Sequence, residues 1–186
     1  MKALLITAVL SALAAQLDTM PLDPESRIWV SGTSSVKAFR CEAKKIDSTI
    51  MPGAGSTATL PIANLVQSAT VVVPIEDLDC NNGTMNGHMR KALKAEENPK
   101  LTWTMTNYTI DASGAIVLNG KLGIAGKELP VEFRGTAQDE SNGRVRVVAS
   151  KEIKMTEWGV KPPSLMLGSM KVHDPVTIGI DVVVKR

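Results

Sequence analysis

A chain of 186 residues, 44% hydrophobic and 22% charged, fits one globular domain with a sizeable core and leaves little material for a second. Its 21 basic and 19 acidic residues are spread along the chain for a formal charge of +2, which excludes a concentrated field for nucleic-acid phosphates. The aromatic residues Trp29, Phe39, Trp103, Tyr108, Phe133 and Trp158 stand far apart, so a stacking platform for bases is excluded as well.

The chain begins with Met1-Lys2 and an apolar run from Ala3 to Ala15, the basic start, short hydrophobic stretch and small residues of a signal peptide over residues 1–15. A membrane span needs about 20 apolar residues, and this run is interrupted by Thr7 and Ser11 and ends at Gln16 and Asp18. Cleavage is expected near Ala14 or Ala15, and no cysteine follows at the place a lipid anchor would need. The expected product is a soluble protein, periplasmic or secreted. Residues 16–26, with Pro21 and Pro24 among polar side chains, are read as a flexible leader, and residues 27–186 as the domain.

Residues 27–45 read as two extended pieces joined near Gly32. In an oxidising compartment an even cysteine count points to a bridge, and Cys41 with Cys80 is the pair available. Two unpaired buried thiols are the alternative. A metal role is not expected, because neither has a second Cys or a His at ligand spacing. The prolines and glycines between Pro52 and Gln67 make a loop with at most a short helical turn, followed by a strand in "SATVVVPIEDL".

From Gly83 to Trp103, "GTMNGHMRKALKAEENPKLTW" carries the one good helical pattern. Met85, Met89, Ala92 and Leu93 share a side, Arg90, Lys91 and Lys94 turn away, Asn82 or Thr84 caps the start, and Pro99 stops the run. Beyond it the alternation is strict: Leu101, Trp103 and Met105; Ile116, Leu118, Leu122 and Ile124; Leu129, Val131 and Phe133. Val145, Val147 and Ala149 lead on to Ile153 and Met155, and Val176, Ile178, Ile180, Val182 and Val184 form the last inner face. "DASGA" at 111–115 and "SNGR" at 141–144 are turns. These segments make about eight strands, each with one wet face, which requires an antiparallel all-β fold, either a two-sheet sandwich or a closed barrel. On the barrel reading the helix lids an open end; on the sandwich reading it covers a sheet edge.

No nucleophile is paired with a base, and His88 and His173 read as surface or boundary residues, so an enzyme is not expected. The glycines of "GKLGIAG" precede a strand rather than a helix and so do not make a phosphate loop.

Five stretches in order, "SRIWVSGTSSVKAFRC", "VVVPIEDLDCNNGTMNGHMRKAL", "NPKLTW", "LNGKLGIAGKELPVEF" and "KMTEWGVKPPSLMLGSMKVHDPVTIGIDV", resemble the YceI-like family of exported lipid-binding proteins. The resemblance covers residues 27–184. It implies an extended eight-stranded antiparallel barrel of lipocalin-like shape, with a short amphipathic helix near one end. It also implies an apolar tunnel for a polyisoprenoid or isoprenoid-quinone tail, with no other cofactor. Candidate tunnel-lining residues are Phe39, Met89, Leu93, Trp103, Met105, Leu118 and Leu122, continuing with Val131, Phe133, Val147, Met155, Ile178 and Ile180. Small inward residues, Gly120, Gly135, Ala137 and Ala149, are expected to leave length for the tail. The alternative is a ligand-free stress-related or protein-interaction barrel with a filled core. The expected partner is an isoprenoid lipid, with transient membrane contact and a homodimer left open.

Overall fold

The structure, a computed structural model, describes residues 19–55, 61–165 and 170–186. The segment read as a signal peptide lies outside the described residues. The described residues form eleven strands and one α-helix: β1 (Arg27–Ser34), β2 (Ala38–Ala43), β3 (Asp47–Pro52), β4 (Val66–Pro74), β5 (Leu78–Asp79), α1 (Gly83–Ala92), β6 (Lys100–Ile110), β7 (Ala115–Ile124), β8 (Lys127–Glu140), β9 (Arg144–Lys154), β10 (Ser164–Leu165) and β11 (Met170–Lys185). The eight strands legible in the sequence are all present. The additions are β3 and the two-residue strands β5 and β10, too short to show a period.

Every ladder is antiparallel, and hydrogen-bonded neighbours run β3-β4-β6-β7-β8-β9-β11-β1-β2-β5, with β10 on β11. The edge strands β3 and β5 do not pair with each other among the described residues, so the sheet is curled round with a seam rather than fully laddered. Short connections draw the seam together. Residues 44–46 alone carry the chain from β2, beside one edge, to β3, the other edge. Extended chain covers at most about 3.6 Å per residue, so the two edges lie within about 14 Å there. A second short crossover, the 3-10 turn Ile75–Asp77, joins β4 to β5, and Lys44 N–H donates to the Asp77 carbonyl at 2.8 Å.

Turn chemistry fixes the register. Asp111 accepts from the Ser113 and Ala115 backbone N–H groups at 2.8 and 3.1 Å in the β6–β7 turn. The β7–β8 turn is Ala125-Gly126, both at positive φ (50° and 80°), the two-residue geometry that matches strand twist. This explains the glycine of "GIAG" without any ligand. The first half of β8 has no partner on the β9 side, since that ladder starts at Arg134 opposite Ser150, so Pro130 sits where no N–H is required.

Two buried clusters fill different parts of the curled sheet. One gathers Met20, Ile50, Leu65, Ala69, Val145 and Val184; the other centres on Ile116, Leu118, Leu122, Phe133, Trp158 and Val160. The first corrects the reading of residues 16–26 as a flexible leader, as far as residues 19–26 are concerned. Met20 is 5% exposed and donates its N–H to the Ile50 carbonyl, Leu22 bridges Val184, and the Asp23 N–H donates to Val183 O at 2.7 Å. Met20 plugs the end of the barrel as a core side chain would, a role its position among prolines and acids concealed.

On the outside of that end, Arg144 and Arg146 tie this segment to β8 and β11. Arg144 binds both carboxylate oxygens of Glu25 at 3.1 and 2.9 Å. Arg146 reaches Glu140 at 2.5 Å and Asp181 at 2.7 Å, and Lys185 lies 3.0 Å from Asp23. The Glu25 N–H, then Lys185, hold the Asp23 carboxyl below the ordinary carboxylate range, and Arg144 does the same for Glu25.

Candidate functional site

The other end is hollow. An apolar cavity of about 730 Å3 lies between the curled sheet and α1, within the roughly 300–1,000 Å3 span of small-molecule sites. Period-two alternation builds its walls: Ile28 and Val30 on β1 face inward opposite Ile180 and Ile178 on β11, with Phe39 from β2 and Val71 and Val73 from β4 beside them. The floor is Trp103 set edge-on to Phe133 at 6.1 Å and 90°, flanked by Leu118 and Leu122. Trp103 touches both buried clusters and so stands as the partition between the filled and hollow ends. Met155, Trp158 and Val160 close the gap where β9 leaves β8, with the Trp158 indole N–H donating to Leu122 O at 2.9 Å.

The lid is α1. It begins at Gly83, two residues before the first methionine of its apolar side, because the Asn82 side chain accepts from Met85 N at 2.9 Å and caps it. It ends at Ala92 and continues as turns through residue 97. Met85, Met89, Ala92 and Leu93 line the cavity, yet no residue of the helix is fully buried, as expected of a helix laid over a hollow instead of a packed core. Specific ties replace the missing packing. The disulfide Cys41–Cys80 fastens the chain just before the helix to β2. The Cys80 N–H donates to Asn86 Oδ1 at 2.8 Å, Asn86 Nδ2 donates to Asp79 at 3.0 Å, and Arg90 donates to the Glu76 carbonyl at 2.9 Å. The Asn86 amide, followed by the Asn81 N–H, holds the Asp79 carboxyl below its ordinary range.

Of the sequence candidates, the structure brings Phe39, Met89, Leu93, Trp103, Leu118, Leu122, Phe133, Met155, Ile178 and Ile180 together around this cavity. Met105, Val131 and Val147 do not line it. Met105 sits beyond the Trp103 partition and packs on the filled cluster, Val147 packs on both clusters, and Val131 is buried in the other cluster opposite Gly120. The small inward residues also serve a different purpose from the one expected. A Cβ on Gly120 would come within 2.6 Å of the Trp103 indole, and one on Gly135 within 1.8 Å of the Val148 carbonyl oxygen. These glycines let the partition and β9 approach the sheet, while Ala137 and Ala149 are buried in packed core.

Sequence reasoning missed Val71, Val73, Trp158 and Val160. The run "VVV" has no alternation from which to read a face, and Trp158 lies in a 3-10 turn, Met155–Trp158, beyond the strand pattern. His88, read as a boundary residue, lies at the cavity lining; His173 is 2.8 Å from the Thr33 hydroxyl outside it. Exposed residues among the lining, including Val36, Lys37, Ala38, Arg40, Asn81, Asn82, Thr84 and Lys171, mark where the cavity opens to solvent.

An antiparallel sheet curled around an apolar hollow and lidded by one helix defines a lipocalin-like barrel of the binding-protein kind. The chain matches the YceI-like domain family over residues 26–184 and belongs to it. Solved structures agree on the fold. Burkholderia cenocepacia BcnA superposes with a TM-score of 0.72 at 18% identity, covering 88% of this chain and 99% of that one. A polyisoprenoid binding domain from Saccharophagus degradans, implicated in plant cell wall breakdown, gives 0.67 at 14% identity over 91% of this chain and 99% of that one. The Campylobacter jejuni YCEI protein gives 0.58 at 15% identity over 100% and 99%. No curated protein matches the sequence.

Proposed function

We propose that the protein is an exported carrier that holds a polyisoprenoid or isoprenoid-quinone tail in the hollow end of its barrel, for storage or transport. The observation that carries this reading is the apolar cavity of about 730 Å3 beneath a two-methionine lid. An apolar protein cavity of about 150 Å3 accepts one benzene, so this one has room for on the order of thirty carbons. Flexible Met85 and Met89 adapt to a slender, irregular guest better than branched side chains would. The polyisoprenoid binding domain among the structural relatives supports the ligand class, and the Cys41–Cys80 bridge supports an oxidising, periplasmic location. A barrel with a filled core, the ligand-free alternative, would leave no such volume.

Burying each methylene from water contributes about 0.8 kcal/mol. A tail drawn from a bilayer has already left water, so its transfer into the cavity is close to neutral, which suits reversible exchange. Val36, 61% exposed at the opening, provides an apolar tip for transient contact with a membrane during that exchange. Organic extraction of protein purified from its native host, followed by mass spectrometry, is expected to return an isoprenoid near one equivalent. Intact protein that yields no lipid, and that binds none when isoprenoids are added, would falsify this function.

A further inference from the structure

The underside of α1 carries a combination that an apolar lid does not need. Met85, His88 and Met89 all line the cavity, and all three are half-buried. Leucines would cover a hollow as well as the two methionines do. The imidazole is the odd member: among the described residues His88 makes no hydrogen bond or ion pair, and no Asp or Glu lines the cavity to meet it.

Helix geometry brings the three donors together. Positions i and i+3, and i and i+4, stand about 5–6 Å apart at Cβ on one helix face, which is the relation of Met85 to His88 and to Met89. The Asn82 cap and the Cys41–Cys80 bridge fix the start of the helix that carries them. The Met89 sulfur lies 3.8 Å from Cys80 Sγ, so it is directed toward the bridge to β2. With both cysteines engaged in that bridge, the thioethers and the imidazole are the donors left.

Two thioethers and one neutral imidazole make a soft, uncharged donor set, the kind that selects copper(I). Hard and borderline dications want carboxylates, thiolates or several imidazoles, and among the described residues no three His, Cys, Asp or Glu side chains converge. The cationic lining residues Lys37, Arg40 and Lys171 are exposed, so solvent screens their repulsion of a univalent ion. We propose that α1 binds copper(I) through Met85 Sδ, Met89 Sδ and a ring nitrogen of His88. The site does not depend on a lipid guest and gives the same lid a second class of ligand.

Silver(I), a redox-inert soft univalent ion, is titrated into the full-length mature protein with its disulfide intact, in chloride-free buffer without reductant. Calorimetry is expected to show one equivalent bound, and 13C-methyl methionine spectra to show the Met85 and Met89 signals shifting while the other thioethers stay in place. Met85→Leu, Met89→Leu and His88→Phe are each expected to weaken binding tenfold or more. Met105→Leu, beyond the Trp103 partition, is expected to leave it unchanged. Copper(I), supplied anaerobically as its acetonitrile complex, should move the same two methyl signals, and zinc(II) should not bind there. The methyl spectra read contact in the wild type, so the site is tested even where a substitution disturbs the lid. Absence of saturable silver binding, shifts at methionines other than these two, or full affinity retained by Met85→Leu with Met89→Leu, overturns the site. Silver that moves these signals while copper(I) does not, or zinc(II) held as tightly as silver, overturns the copper(I) assignment.

Discussion

The two ends of the barrel are built from the same alternating strands yet hold together differently. At the filled end Leu65 is 2% exposed and Met20 5%, and apolar side chains from four strands, the turn before β4 and the N-terminal segment pack together. At the hollow end the inward residues are as apolar, but they face about 730 Å3 of space, and the lid above them is held by a disulfide and four side-chain hydrogen bonds. Dispersion contacts therefore stabilise one end and covalent and polar ties the other, so the second can open without unfolding the first.

The strongest way to break this comparison is to cut the tie at the hollow end. Cys41→Ser with Cys80→Ser opens a loop that spans 39 positions, and loops of that size correspond to about 4 kcal/mol in the chain-entropy account. Urea denaturation should show this loss, and hydrogen exchange should place the largest rise in α1, with the filled cluster protected. Loss of protection at Leu65 and Val145 before α1 would show that the ends are not separate.

Next in size is a matched pair of truncations. Leu65→Ala leaves a void in close-packed surroundings and should cost about 3 kcal/mol. Met89→Ala, on a lid that already overlies space, should cost under about 1 kcal/mol, because little packing is lost. Equal losses in calorimetry or denaturant titration would mean that the hollow is packed in solution.

Acid should loosen the carboxylate ties of the filled end. Asp23 and Glu25 have carboxyls held below their ordinary values of 3.8 and 4.5, so their contribution is present above those values and fades as the pH falls through the lower folded ones. Melting temperature should stay level from neutral pH down to about 5 and drop below about 4. Asp23→Asn with Glu25→Gln should flatten that drop. An unchanged acid profile in this variant would assign the stability loss to other carboxylates.

The smallest stability effect is expected from Val30→Phe. Added methylenes in a native-density core cost about 1–3 kcal/mol, but Val30 borders open volume, so the change should be close to neutral in stability while obstructing a guest.

How much of this was legible in the sequence follows from the same physics. Wherever one face is wet and the other dry, alternation revealed the strands and the inner positions, as for Leu118, Leu122, Ile178 and Ile180. The pattern could not say how far along the barrel an inner residue lies, so it places Met105 and Val147 at the cavity although neither lines it. Uniform apolar runs such as Val71–Val73 hide their orientation, and Met20 gains its place only from tertiary contacts with Ile50 and Val184 that local sequence does not encode. Gly120 and Gly135, expected to leave length for a tail, instead admit the Trp103 indole and the β9 backbone, neighbours that local sequence does not reveal.

The most direct test of the central claim is to titrate geranylgeraniol into three proteins: wild type, Val30→Phe and Leu65→Ala. If the tail occupies the hollow end, wild type and Leu65→Ala bind alike, despite the latter's lower stability, and Val30→Phe loses affinity by tenfold or more, about 1.4 kcal/mol. Undiminished binding to Val30→Phe would contradict the account, because the guest would then lie somewhere other than the space beneath the helix.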